Sequence, residues 1–112
     1  MPQFAVLVYD KPIAFEDIPP EVMAGHEAVP GKVEEAGGQF VTGYAIAPAS
    51  EARSVRGDDV AKGPFHDTVQ QLAGFFVISA RDVDHAAELA KFVPAIDGGV
   101  EVRPLFGDPE AE

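Results

Sequence analysis

At 112 residues the chain fits one domain and leaves little room for a second. Its 19 Asp and Glu against 8 Lys and Arg give a formal charge of −11, which repels phosphate backbones and anionic lipid and argues against nucleic acid or a membrane surface as partner. The absence of cysteine excludes disulfides, thiolate metal sites and a cysteine nucleophile. The acidity itself suits solubility, or a basic protein partner. Met1-Pro2-Gln3-Phe4 has no basic segment leading an apolar run, and no apolar run approaches the ~20 residues that span a bilayer, so a cytoplasmic location is expected.

Phe4 to Tyr9 is a short apolar run without helical spacing, the pattern of a strand, with Phe4, Val6 and Val8 on one face and Ala5, Leu7 and Tyr9 on the other. Pro20 suits the first turn of a helix. Val22, His26, Val29, Val33 and Ala36 then make one helical stripe. Pro30 cannot donate to the His26 carbonyl, which predicts a kinked helix or two short ones, stopped at Gly37-Gly38. A second strand is predicted over 39–47, with Phe40, Thr42, Tyr44 and Ile46 on one face. The other face carries Val41, Gly43 and Ala45, small enough overall for close approach of a helix or ligand.

Arg53 to Lys62 predicts a hairpin turning at Gly57-Asp58, pairing Val55 with Val60 and Arg56 with Asp59. Gly63-Pro64 is expected to turn Phe65 into the core or a pocket wall. Gly74 to Ser79 is a further strand, apolar on both faces. Asp82 is a good N-cap for a helix buried along Val83, Ala86, Ala87, Ala90 and Val93 and ended by Pro94. The last strand, 100–105, sets Val100 and Val102 opposite Glu101 and Arg103, and the acidic end of the chain, 107–112, is expected to be a loose tail beyond a domain of 1–106.

These elements predict an α+β fold: a ferredoxin-like antiparallel sheet with two helices on one face. At least two strands are apolar on both faces, so the second face needs a lid. The cheapest lid is the sheet of another copy, which predicts a homodimer.

Val60-Ala61-Lys62-Gly63-Pro64-Phe65, followed by Thr68, Gln71-Leu72 and Gly74-Phe75-Phe76, resembles the YCII-related proteins of the DGPF type. The resemblance extends through Asp82-Val83-Asp84, Pro94 and Val100 to Leu105, and in the first half through Tyr9-Asp10, Met23, His26 and Ala36-Gly37-Gly38. It implies a dimeric α+β barrel and an acid–base site built on a helix histidine and an aspartate. Relatives on that fold include a dehydrochlorinase and isomerases of small aromatic breakdown products, while some members are encoded beside alternative sigma factors, which implies regulation instead. The first residue of the Asp-Gly-Pro-Phe signature is Lys62 here, a reversal of charge, and the usual Glu, Lys and Gly that follow are Asp67, Val69 and Ala73. Chemistry carried by the signature aspartate would be lost or changed; a turn-capping role would leave little consequence.

His26 is the leading candidate for chemistry, because an imidazole titrates near neutral pH and both takes and gives a proton. The same place on an apolar stripe also suits a core histidine held by a backbone carbonyl. Asp10, ending the first strand, is placed to orient His26, or to cap a turn. Tyr9, Tyr44 and Phe65 are candidate ligand-binding aromatics, although strand aromatics also serve as plain core. Arg103 is a further ligand-binding candidate, or the partner of Glu101 in an ion pair. His66 and His85 are expected to face solvent. The three histidines have no metal-ligand spacing, and the glycines make no phosphate cradle, so neither metal nor cofactor is expected. The resulting expectation is a homodimer acting without cofactor as a lyase or isomerase on a small aromatic-type metabolite, or a non-enzymatic ligand- or partner-binding module.

Overall fold

The computed structural model describes residues 1–106; the tail expected over 107–112 lies outside them. The elements run β1 (Gln3–Asp10), α1 (Pro20–Glu35), β2 (Gln39–Ala45), β3 (Arg53–Arg56), β4 (Asp59–Lys62), β5 (Gln71–Ser79), α2 (Val83–Ala90) and β6 (Gly99–Pro104). Four strands form an antiparallel sheet in the order β2-β5-β1-β6, while among the described residues β3 and β4 pair only with each other. Without that hairpin the succession is β-α-β-β-α-β, and the fold is α+β as expected.

Alternation in β1 sorts the two faces. Phe4, Val6, Val8 and Asp10 are buried, and Ala5, Leu7 and Tyr9 only half-buried. Phe4 and Val6 join Ile78 of β5, Val29 and Val33 of α1, and Ala86, Leu89 and Ala90 of α2 in one core. Both helices therefore sit on one face. The opposite face pairs Ala5 with Val77, Leu7 with Phe75 and Tyr9 with Leu72.

α1 is one helix with Pro30 inside it, not two short ones. Losing one helical hydrogen bond and accommodating the ring costs roughly 3 kcal/mol, and burial of Val29 and Val33 on either side of the proline offsets it. The helix ends as expected: Gly37 has φ 90°, its N–H reaches the Glu34 carbonyl and that of Gly38 reaches Val33, the two bonds of a Schellman motif. Ala36 is exposed rather than part of the buried stripe.

The β3–β4 hairpin has the predicted register, Val55 opposite Val60 and Arg56 opposite Asp59. Gly57 alone of the turn pair has positive φ, at 61°, as a II′ turn requires.

β2 ends at Ala45, two residues short of the expected strand, and its faces are not those predicted. Phe40 pairs with Ile78 but Thr42 with Val77, so Val41 is an extra residue that shifts the register. Phe40 then packs against Phe76 on the helix side, whereas Tyr44 packs against Phe75 on the other. A strict two-residue alternation had put them together.

α2 is capped as predicted, the Asp82 carboxylate accepting from the His85 N–H at 2.8 Å. Its buried residues are His85, Ala86, Leu89 and Ala90; Val83 and Ala87 are exposed. His85 is thus a core residue rather than a solvent-facing one. Its Nδ1 accepts from the Arg81 N–H at 3.1 Å and its Nε2 lies 3.0 Å from the Ala36 carbonyl, so the ring clamps the start of α2 to the end of α1. Among the described residues no helix is long and apolar enough to cross a membrane.

Candidate functional site

At the C-terminal ends of β1 and β2, beneath the first half of α1, lies a cavity of about 490 Å³. Its floor comes from Val8, Gly43, Gly74 and Phe76, its roof from Val22, Met23 and His26, and its mouth from the segment Lys11 to Ile18 and the stretch Ile46 to Ala49. The lining is mainly apolar; Asp10, Lys11, His26, Glu27 and Gln71 are its polar side chains.

His26 falls on the same α1 stripe as Val22 and Val29, which turns it to the sheet. Its ring lies nearly parallel to that of Phe76, centroids 6.1 Å apart and planes at 18°. Phe76 can occupy that position because residue 43 has no side chain: a Cβ there would stand 2.4 Å from Phe76 Cδ1. Gly43 and Ala45, the small residues read as leaving room for a helix or ligand, both line the cavity. No protein group among the described residues hydrogen-bonds the His26 ring, and no buried side-chain nitrogen lacks a partner, so its nitrogens are open to the cavity. Burial pushes the His26 pKa below the ordinary imidazole value, against the opposing charge of Asp10.

Asp10 lines the same cavity but does not hydrogen-bond His26. Its carboxylate accepts the N–H groups of Ile96 at 2.6 Å, Asp97 at 2.8 Å and Lys11 at 2.9 Å, fastening the stretch after α2 to the end of β1. Burial alone would raise its pKa; those N–H groups, with the charge of Lys11, outweigh burial and hold it below the ordinary carboxylate value. An ionised Asp10 therefore acts on His26 through its field.

The other sequence candidates scatter. Tyr44 contributes to the cavity's lining, but its ring lies on the far side of the sheet against Phe75. Tyr9 is half-buried on that same far side, outside the lining. Arg103 is exposed and bonded to Glu101, the ion pair considered from the sequence. Phe65 enters neither core nor cavity: it is 50% exposed, with the Arg56 guanidinium 3.8 Å from its ring centroid. Gly63-Pro64 follows the hairpin instead of leading back to the sheet. Lys62, at the reversed signature position, is exposed at the end of β4 and outside the cavity.

Sequence reasoning missed Phe76, Ile96 and Gln71. Gln71 donates to the carbonyls of His66 and Thr68, both at 2.8 Å, and so holds the loop that leads into β5. Only the long contact that closes a loop onto β1 identifies Ile96, and no local pattern announces it. Among the described residues no three His, Cys, Asp or Glu side chains are grouped to hold a metal ion.

The sequence profile of the YCII-related domain matches residues 2–107. The chain belongs to the YCII-related family. No curated protein matches it. Within this YCII-related chain the helix histidine and the strand-end aspartate named by the resemblance share one cavity, whereas the Lys-Gly-Pro-Phe segment stands apart from it.

Proposed function

We propose that this YCII-related chain works as a homodimer and as a cofactor-free acid–base catalyst, a lyase or isomerase acting on a small aromatic-type metabolite held in the cavity. The observation that carries the reading is His26: an imidazole stacked on Phe76 that no group among the described residues hydrogen-bonds, open to an apolar cavity of about 490 Å³, a size that suits a small organic molecule. With its pKa lowered, His26 is neutral near physiological pH and ready to accept a proton. The imidazolium so formed is favoured by the Asp10 carboxylate, and His26 then returns the proton to another atom of the substrate or to a departing group. Asp10 also holds Ile96 against the ligand space.

A specific observation favours the second reading, a ligand-binding module without catalysis: Asp10 spends its carboxylate on three backbone N–H groups and makes no bond to the imidazole. Deuterium incorporation separates the two. Small aromatic ketones and unsaturated lactones are incubated with the protein in heavy water and followed by proton NMR. Catalysis predicts exchange at a carbon acid that falls roughly 10²- to 10⁴-fold in His26→Gln. Compounds that bind but never exchange would transfer the assignment to a binding module.

A further inference from the structure

We infer that the β3–β4 hairpin is a docking arm for a second copy of this chain, seated against the Phe15-Glu16-Asp17 turn at the mouth of that copy's cavity. A lone two-stranded hairpin is marginal in water unless something packs against it, and among the described residues this one pairs with no other strand. Its cross-strand pairs sort its two faces. Arg56 and Asp59 share one face, where Arg56 lies on the Phe65 ring and donates to the Phe65 carbonyl at 3.4 Å. The other face carries Val55 and Val60, 57% and 67% exposed, flanked by Arg53 and Lys62. An apolar pair between two cations, on a chain of charge −11, has its complement in an apolar group between anions.

The turn supplies that complement. Phe15 is 62% exposed and is followed by Glu16 and Asp17, both exposed. Phe15 also lines the cavity, as do Pro48 and Ala49, which lead into the arm. Arm and turn thus belong to the same end of the molecule, and a docked arm would wall the partner's cavity with Val55 and Val60 and bring cations to an acidic rim. Each site would then be completed by the other copy. The inference is independent of the chemistry at His26.

The natural absence of cysteine allows a direct test. Val55→Cys chains are mixed with mass-tagged Phe15→Cys chains under mild oxidation, and the mixed disulfide is followed on a non-reducing gel. It should form several-fold faster than with Gly31→Cys, a control at an exposed position near the other end of α1. In 1 M salt, where the Debye length falls to about 3 Å, the advantage should shrink. Arg53→Glu with Lys62→Glu on the arm should reduce the rate to the control's, and Glu16→Lys with Asp17→Lys on the other chain should restore it. Circular dichroism checks that each variant is folded; where one is not, the salt series on the single-cysteine pair decides. A rate equal to the control's, indifference to salt and to charge reversal, or no rescue by the swap overturns the inference.

Discussion

His26 and Asp10 affect each other by charge and by burial, and the signs can be followed separately. Burial lowers the imidazole pKa from its ordinary 6.5 and Asp10 opposes that fall, so Asp10→Asn should move the His26 titration, read by proton–nitrogen NMR, to still lower pH. An upward movement would contradict the field role. Because the folded value is lowered, the stability held by a neutral His26 is present above 6.5 and is lost as pH falls through the folded pKa. The contribution of Asp10 is likewise present above 3.8 and lost as pH falls through its own lowered value. Both losses lie on the acid side. His26→Leu keeps the volume approximately and removes no protein hydrogen bond, so denaturant unfolding at neutral pH should show a parent-like or greater stability; a loss beyond about 2 kcal/mol would mark His26 as structural. Both residues were legible because each sits where periodicity gives a direction, one on a helical stripe and one at a strand end. His85 was misread because α2 buries the stripe one position round from the apolar one, drawn there by two backbone groups that need a partner.

Among the elements, β1, the hairpin register and the cap of α2 follow from local chemistry and stand as predicted. Phe65 does not. A Gly-Pro pair announces a turn but not its destination, and here the turn leaves the aromatic ring beside Arg56. Phe65→Ala should therefore lower stability by about 1 kcal/mol or less, not the roughly 3 kcal/mol of a buried phenylalanine; a larger loss in denaturant unfolding would mean that something covers it in solution. The two register shifts, at Val41 and between Val8 and Tyr9, were invisible for a different reason. An extra residue in a strand leaves no mark in an apolar run, since its effect appears only against the neighbouring strand.

For the whole molecule, the face bearing Leu7, Tyr9, Phe75 and Val77 meets neither helix, and burying it against a second sheet predicts twice the chain mass in size-exclusion chromatography with light scattering at micromolar concentration. A monomer there would remove that assembly. The sheet's apolar second face was legible in the sequence because both sides of β1 and β5 are apolar, whereas the cavity was not, because loops distant in sequence close it. One further consequence follows from Val41. The register shift there decides which aromatic residues of β2 turn to the helix side of the sheet and which to the outer face, Phe40 lying with Phe76 and Tyr44 with Phe75. Substituting Val41, 49% exposed, changes little in that division. Deleting it would close the bulge and keep the same division, whereas one residue added after Thr42 would roll the rest of the strand over, carrying Tyr44 toward His26 and Gly43 outward. The chain accordingly tolerates exchange or loss of the letter at this point but not a gain just beyond it, so descent through small insertions would alter chemistry and self-association in a single event.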